Sequence, residues 1–369
     1  IAFSIFLDLS KAFDSINHVI LLKKLEYYGI RGVCLEWIRS YLNNRSQFVY
    51  LDDIKSSLLK ISVGVPQGSI LGPLLFLLYI NDVQYVTQLI CPTIFADDTT
   101  LFLKGKSINE LNAIIRTEIP KIDQWFAANK LMINSKKTQC MVFKKRNRHL
   151  DDEIEDIYIN NYKIDKVYCI KFLGIAVDDS LTWSCHIDEI MGKIARAIGV
   201  LYRIRPFIPL RILTNLYNTL ILPYLSYCNI VWGKCSNTLI NKLYVLQKRA
   251  LRAITNSHPR TPSDPLFKKL KVLNIFDICK LQTALFMYKY FNNLLPEVFN
   301  NMFMLNSEMH QYNTRYSNRP RVQLLKYESS RQTVRHLGPQ LWNSLSDDIK
   351  NSPSPASFKG KYKQCLLKC

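Results

Sequence analysis

The 369-residue sequence lacks the cysteine and histidine patterns that mark zinc sites and disulfide frameworks. Its ten cysteines are scattered, with no CxxC pair, no paired histidines and no zinc knuckle. This spacing is typical of reduced intracellular thiols and argues against both a disulfide framework and a zinc centre. Cys365 and Cys369 have CxxxC spacing, but without matching histidines that pair is a weak metal signal.

The sequence also has no apolar run long enough for a membrane span. The most apolar stretch, residues 70–80, is interrupted by Gly72 and Pro73 and is far shorter than the roughly 20 residues that a span needs. No secretory signal is recognisable. The chain begins with Ile1 rather than Met, and we expect a further segment to precede it. We therefore expect an intracellular protein, in nucleus and cytoplasm, with no membrane partner.

Acidic residues are scarce, with 29 Asp and Glu against 49 Lys and Arg and a formal net charge of +20. A surplus this large favours a polyanionic partner, because neutralised phosphates release counterions and drive binding. A basic soluble protein that binds no nucleic acid is the alternative. The net charge alone therefore suggests a nucleic-acid partner without establishing one. The 48% hydrophobic content indicates a folded chain rather than disorder.

Hydrophobic periodicity predicts mixed strands and helices in the first half of the chain and mainly helices beyond Trp183. Pro120 interrupts one long helical pattern, and we expect it to kink that helix or end it early. The predicted strands are residues 2–8, 47–51, 58–63, the hairpin 94–103, 131–133, 139–143, 157–159 and 167–177.

Three carboxylates stand where apolar strands end. Asp97 and Asp98 are adjacent inside a hairpin with apolar arms, and Asp8 closes another apolar strand. Adjacent acids repel each other and are costly to bury without a partner. A divalent cation is the simplest reason for the arrangement, because Mg²⁺ binds one or two carboxylates together with substrate phosphates. Two such ions can hold the attacking and leaving oxygens of a phosphoryl transfer. Alone, each acid is more often a turn residue than a ligand.

Five short motifs, in order, resemble the palm motifs of LINE-type (non-LTR) retrotransposon reverse transcriptases of the jockey-like group. Further short matches after residue 180 extend this resemblance over essentially the whole chain. Five motifs in the right order are highly specific. The motifs are FLDLSKAFD at 6–14, GVPQGSILGP at 64–73, FADD at 95–98, Asn134 with Lys137 and Thr138, and FLGI at 172–175.

The resemblance implies an α+β fold. This is a right-hand polymerase palm, an antiparallel sheet packed on helices with partial fingers, followed by a mostly α-helical thumb and C-terminal region. We place the palm at residues 1–180, a residual fingers insertion at 16–62, and the helical region at 181–369. The implied enzyme is an RNA-directed DNA polymerase that adds deoxynucleotides to a DNA 3′ end by two-metal phosphoryl transfer. Its implied partners are an RNA template, a DNA primer or target and deoxynucleoside triphosphates. The implied cofactor is two Mg²⁺ ions, with Mn²⁺ as an alternative.

The family pattern also implies the catalytic residues. Asp8, Asp97 and Asp98 would carry catalysis, and Lys137 would neutralise or protonate the departing pyrophosphate as a general acid. Lys136 is the alternative for that role, and a plain surface lysine is the simplest reading of either. The implied metal-binding positions are Asp8, Leu9, Asp97 and Asp98.

The substrate positions follow from the same resemblance. Phe13, five residues after Asp8, would lie beneath the incoming sugar, where a bulky ring excludes a 2′-hydroxyl. Core packing is the alternative for Phe13. The implied substrate-binding residues are Leu9, Phe13, Gln67 and Gly68, and the implied primer grip is Phe172, Leu173 and Gly174.

Other functions remain open at this point. The family's fingers precede the first motif, and we expect this chain to be a fragment that lacks most of them and any endonuclease. A catalytically inactive nucleic-acid-binding remnant is therefore the main alternative. An RNA-templated RNA polymerase is disfavoured by Phe13 and by Ala96, where glycine is commoner. A basic scaffold without nucleotide chemistry is disfavoured by the five ordered motifs, and we find no RNase H site.

Overall fold

In a computed structural model of the protein, the first strand, β1 (Ala2–Leu7), lies in the middle of a five-stranded sheet. It pairs antiparallel with β7 (Asp98–Lys104) on one side and β8 (Gln139–Phe143) on the other. β6 (Cys91–Phe95) pairs antiparallel with β7, and β11 (Asp165–Lys166) runs parallel to β8. Phe3 and Ile5 of β1 are fully buried, so this strand forms the centre of a hydrophobic core.

The chain forms two compact units. The first comprises Ile1–Ile170 and Asp179–Leu181, and the second comprises Lys171–Asp178 and Thr182–Cys369. The structure describes residues 1–144, 154–159, 161–308, 317–325 and 331–368.

Four helices of the first unit pack beside its sheet and complete its core. Asn17 caps the first of them, since its side chain accepts a hydrogen bond from the backbone N–H of Ile20 at 3.1 Å. Phe76, Tyr79 and Phe126 are among the side chains that these helices bury fully. The helices are α1 (His18–Tyr27), α2 (Val33–Leu42), α3 (Leu71–Ile80), which continues as a 3₁₀ helix over Asn81–Tyr85, and α4 (Ile108–Ala128).

Short strands outside the main sheet form four two-stranded pairings. Two of them build one hairpin from residues 46–60, in which the predicted strands 47–51 and 58–63 are present only in part. The short strands are β2 (Ser46–Gln47), β3 (Tyr50–Leu51), β4 (Ile54–Lys55), β5 (Leu59–Lys60), β9 (Tyr158–Ile159), β10 (Tyr162–Lys163), β12 (Cys169–Phe172) and β13 (Ile175–Asp178).

Three predictions about secondary structure are wrong in part. α4 runs through Pro120 to Ala128, which contradicts an early end and leaves the alternative of a kink as a prediction; buried residues on both sides of the exposed proline anchor the helix. Residues 131–133 contribute only an isolated bridge between Ile133 and Leu9 rather than a strand. Residues 167–177 form two strands, because Leu173 and Gly174 adopt positive φ angles of 44° and 82° and turn the chain.

The second unit is mainly helical beyond Trp183, as the periodicity predicts. Gln247, fully buried, donates hydrogen bonds to the hydroxyl of Tyr217 at 2.7 Å and to the carbonyl of Leu273 at 2.8 Å. Its helices are α5 (Ser184–Ile204), α6 (Leu210–Leu220), α7 (Leu222–Ser226), α8 (Asn229–Trp232), α9 (Asn237–Ile254), α10 (Asp264–Leu270), α11 (Ile275–Phe291), α12 (Val334–Ser344), α13 (Asp347–Lys350) and α14 (Pro355–Lys368), with 3₁₀ turns at Glu297–Phe299 and Asn306–Glu308.

The architecture is thus a mixed α/β fold, as expected. The assignment of palm, fingers and thumb, with boundaries at residues 16–62 and 180, stays a prediction. In the described part of the chain, no helix combines the length and apolarity needed to cross a bilayer.

Candidate active site

The turn between β6 and β7 presents two adjacent carboxylates. Phe95 pairs with Asp98 across the hairpin, which leaves Ala96 and Asp97 as a two-residue turn. Ala96 has a φ of 53°, in the region that favours glycine. Asp97 and Asp98 are both exposed. The structure therefore confirms the predicted hairpin with acids at its tip.

Asp8 lies beside this turn because of the register between β1 and β7. Leu7 is the partner of Thr99, so the next step along the two strands brings Asp8 opposite Asp98. Partial desolvation, followed by the charges of Asp97 and Asp8, raises the pKa of Asp98 above its ordinary value. The three acids of the first and third motifs are thus close enough for their charges to interact.

The fourth motif holds Asp8 in place through three of its groups. The side-chain amide of Asn134 donates to Oδ2 of Asp8 at 3.0 Å, and the backbone N–H of Asn134 donates to the carbonyl of Asp8 at 2.8 Å. The Oγ1 of Thr138 accepts from the backbone N–H of Asp8 at 3.3 Å. Lys137 Nζ lies 3.9 Å from Asp8 Oδ2, and its side chain is 71% exposed. The predicted general acid is therefore next to a predicted catalytic carboxylate.

The second motif packs on the turn that follows the first. The backbone N–H of Val65 donates to the carbonyl of Phe13 at 2.9 Å. Gly64 has a φ of 85°, and a Cβ at this position would lie 2.7 Å from the carbonyl oxygen of Asp14. Only glycine fits this close approach of two backbones.

Phe13, Gln67 and Gly68, three of the four predicted substrate residues, belong to the two segments that meet at this junction. Gln67 Nε2 donates to Asp14 Oδ1 at 2.8 Å. The ring of Phe13 is half-buried, and its centroid lies 4.8 Å from that of Phe76 in α3. Gly68 is exposed and has a φ of 83°. Leu9 is buried and bridges to Ile133, so its side chain packs in the core and only its backbone is left to contact a ligand.

The predicted primer grip belongs to the second unit and is described within it. Leu173 and Gly174 form the turn between β12 and β13. The hydroxyl of Tyr227 donates to the carbonyl of Leu173 at 2.8 Å, which fixes the turn. The grip role of Phe172, Leu173 and Gly174 stays a prediction.

The carboxylates fit a cation that is shared with a substrate. In the described residues, no group of three or more His, Cys, Asp and Glu side chains is arranged to hold a metal ion by itself. The pKa of Asp98 is raised, first by partial desolvation and then by the charges of Asp97 and Asp8, so a cation at this position would relieve the cost of keeping Asp98 charged. Mg²⁺ is bound by one or two carboxylates together with substrate phosphates and water. The donor set matches that mode of binding and does not match a closed protein cage.

Sequence reasoning missed two supporting groups. Thr138 appeared only as part of a motif, and nothing in the sequence indicated that its hydroxyl holds the backbone of Asp8. The His18 ring is hydrogen-bonded to the carbonyl of Gly64 through Nε2 at 2.7 Å and thereby supports the second motif. Its position next to the helix cap gave no signal of this contact.

Comparison with known proteins agrees with this geometry. Residues 2–177 match the family described as reverse transcriptase (RNA-dependent DNA polymerase). The chain is 30% identical over 302 residues to the RNA-directed DNA polymerase from mobile element jockey of Drosophila melanogaster, covering 79% of this chain and 32% of that protein. Residues 2–177 thus carry the match to the reverse transcriptase family, and the chain is similar to the jockey-like, non-LTR members of that family.

A second curated relative is also the polymerase of a mobile element. The probable RNA-directed DNA polymerase from transposon X-element of Drosophila melanogaster is 26% identical, covering 74% of this chain and 30% of that protein. The chain spans about a third of the length of these curated relatives. Among solved structures, telomerase from Candida albicans aligns with a TM-score of 0.35 and 14% identity over 82% of this chain and 48% of that chain. That score is too low to support an argument.

Proposed function

We propose that this chain is the polymerase part of a non-LTR retrotransposon protein that copies RNA into DNA. In this proposal the first unit is a polymerase palm with residues 16–62 as partial fingers, and the helical second unit is the thumb and C-terminal region. Its substrates are deoxynucleoside triphosphates, an RNA template and a DNA 3′ end. The supporting observation is the meeting of Asp8 with Asp97 and Asp98, braced by Asn134. We place the protein inside the cell, in nucleus and cytoplasm.

The residues present define the chemistry that each would carry. Asp8, Asp97, Asp98 and the backbone of Leu9 would hold Mg²⁺, or Mn²⁺ in its place. Two such ions, when bound, would stabilise charge on the attacking and leaving oxygens. Asn134 and Thr138 orient Asp8 before substrate arrives, which lowers the cost of assembling the site.

The predicted substrate residues would select the incoming nucleotide, and Lys137 would help to release the pyrophosphate. The Phe13 ring, backed by Phe76, would close the space that a 2′-hydroxyl needs. Lys137 would protonate the departing pyrophosphate or neutralise its charge. Gln67, held by Asp14, would position the nucleotide and template beside Gly68. Phe172, Leu173 and Gly174 would hold the primer end.

Primer extension on an RNA template tests this proposal. The assay uses a labelled DNA primer, deoxynucleotides and Mg²⁺, with the chain as given and with the preceding segment of the jockey relative fused before Ile1. The double variant Asp97→Ala, Asp98→Ala is the control. We expect extension by the fused protein and none by its double variant. Binding of primer and template without extension by the fused protein would contradict a polymerase and favour an inactive nucleic-acid-binding remnant.

A further inference from the structure

The hairpin of residues 46–60, here called the ribbon, is exposed along its whole length. Every residue from 43 to 60 is solvent-exposed. Asp52 and Asp53 form its tip with φ angles of 45° and 64°, the pattern of a tight two-residue hairpin turn. An isolated two-stranded hairpin is only marginally stable in water, so a surface that covers the ribbon would stabilise it.

One face of the ribbon combines aromatic rings with lysines. Phe48 and Tyr50 share this face, because the same lysine, Lys55, lies close to both rings. Lys55 pairs with Tyr50 across the hairpin, and its Nζ lies 5.6 Å from the Phe48 ring centroid and 5.8 Å from that of Tyr50. Lys60 pairs with Ser46, two positions before Phe48, and so belongs to the same face.

The opposite face has a different character. Val49, Leu51 and Ile54 lie there, since Leu51 pairs with Ile54 and Val49 alternates with Tyr50. Asp52 and Asp53 make the tip of the ribbon negative, and the lysines of the ribbon lie in its stem. The Tyr50 hydroxyl donates to Asp53 Oδ1 at 2.6 Å, which fixes the ring at the edge of the face. The aromatic and basic groups are therefore confined to one face of the stem.

We propose that the face formed by Phe48, Tyr50, Lys55 and Lys60 binds single-stranded nucleic acid by stacking unpaired bases. Phe48 is 49% exposed and Tyr50 56% exposed, so both rings offer area to a base. Aromatic rings in a positive setting bind single strands without reading sequence, because every base has a π face. Lys55, beside both rings, would meet the phosphate next to a stacked base. The ribbon shares no residue with the site of Asp8, Asp97 and Asp98, and the inference rests on the proposed function only in naming RNA as the strand.

The test measures binding of the full chain to a fluorescein-labelled, unstructured RNA 20-mer in EDTA, without nucleotide. We expect Phe48→Ala, Tyr50→Ala to weaken binding about 5- to 100-fold for each ring that stacks a base. Lys55→Gln, Lys60→Gln should reduce the slope of log affinity against log salt by about 0.7 for each lost phosphate contact. Hydrogen exchange should show protection of the ribbon amides when RNA binds.

The chain offers a matched control in another exposed hairpin. Tyr158 and Tyr162 of β9 and β10 are each 59% exposed, but the neighbouring Lys163 is paired with Asp156 at 2.6 Å. Tyr158→Ala, Tyr162→Ala should leave RNA affinity within about twofold of wild type, since that lysine is neutralised. Circular dichroism checks that each variant is folded.

The outcomes separate this inference from the proposed function. Wild-type affinity in the ribbon variants, or an equal loss in the control pair, would overturn the ribbon site whether or not the protein extends primers. Loss of affinity confined to the ribbon variants would support it even if extension is never seen. Protection of the ribbon by an added protein but not by RNA would show that the face docks protein and would also overturn the proposal.

Discussion

The side-chain amide of Asn134 donates a hydrogen bond to Oδ2 of Asp8 at 3.0 Å, joining residues 126 positions apart in the chain. Together with the contact from Thr138, it fixes a carboxylate that stands beside two other acids. A carboxylate held before the cation arrives loses less freedom on binding, and partners behind metal ligands tune affinity for this reason.

Loss of the Asn134 side-chain amide should reduce activity or Mg²⁺ affinity more than it reduces the stability of the fold. We expect Asn134→Ala to lower extension efficiency or Mg²⁺ affinity about 10- to 100-fold, and stability by about 1 kcal/mol because the contact is only partly buried. Mg²⁺ titration of the extension rate measures the effect. Ser135→Ala is the control, since that side chain makes no hydrogen bond in the described part of the chain. An effect equal in both variants would contradict a specific role for Asn134.

Variants that remove the charge, or keep it without proton donation, distinguish the role of Lys137 from that of its neighbour Lys136. Lys137→Gln should lower the rate constant for nucleotide addition about 10²- to 10⁴-fold if it acts as a general acid. Lys137→Arg should recover little, because arginine keeps its proton. Lys136→Gln should be close to wild type. Single-turnover rates measured across pH test whether Lys137 acts as a general acid. Full rescue by Lys137→Arg would show that only the positive charge is needed.

Asp98 should make stability depend on pH in metal-free buffer. The pKa of Asp98 in the folded protein is raised above the ordinary 3.8. At pH values between the unfolded and the folded pKa, the folded state keeps a proton that the unfolded state has lost. Stability therefore falls as pH rises between these two pKa values. Asp98→Asn should therefore be more stable than wild type at pH 7, by less than about 1 kcal/mol because solvent screens the site. The two should be equal near pH 3. Thermal melts at both pH values test this, and a less stable variant at pH 7 would be the contrary result.

Two glycines of the second motif should differ in their tolerance of a side chain. Both have positive φ, but an added Cβ at Gly64 meets backbone atoms of Asp14 whereas at Gly68 it meets open space. We expect Gly64→Ala to cost at least about 3 kcal/mol and Gly68→Ala about 1 kcal/mol. Urea denaturation of both variants compares them. Equal costs would mean that the contact with Asp14 relaxes freely.

The Phe13 ring should control the choice of sugar. In the active fused protein, Phe13→Val should admit ribonucleotides by opening space for the 2′-hydroxyl, with deoxynucleotide incorporation largely kept. Phe13→Tyr keeps the bulk and is the control. The ratio of incorporation efficiencies for matched ribo- and deoxynucleotides is the readout. An unchanged ratio in Phe13→Val would remove Phe13 from this role and leave it as a core residue packed on Phe76.

Much of the site's local structure could be predicted from sequence because it depends on neighbouring residues. The strand that ends at Asp8 and the acidic tip at Asp97 each follow from short patterns of apolar and polar residues. The positions of the three acids at strand ends suggested that they form one group, and the resemblance to known motifs supported it.

Features set by distant contacts were not predictable in the same way. α4 continues through Pro120 because burial on either side of it outweighs a cost of about 3 kcal/mol. The strand at Asp165 forms only because β8 offers it an edge. The bond between Asn134 and Asp8 depends on register across a sheet, which no local pattern contains.

Iron-directed cleavage tests most directly whether the acids of the first and third motifs share one metal site. Fe²⁺ replaces Mg²⁺ in the fused protein bound to RNA template, a primer without a 3′-hydroxyl and the next deoxynucleotide. Ascorbate and peroxide then cut the backbone near the ion. We predict cuts flanking Asp8 and Asp97 together, suppressed by excess Mg²⁺ and absent in Asp97→Ala, Asp98→Ala. Cuts elsewhere, or cuts that persist in that variant, would contradict a metal centre built from these carboxylates.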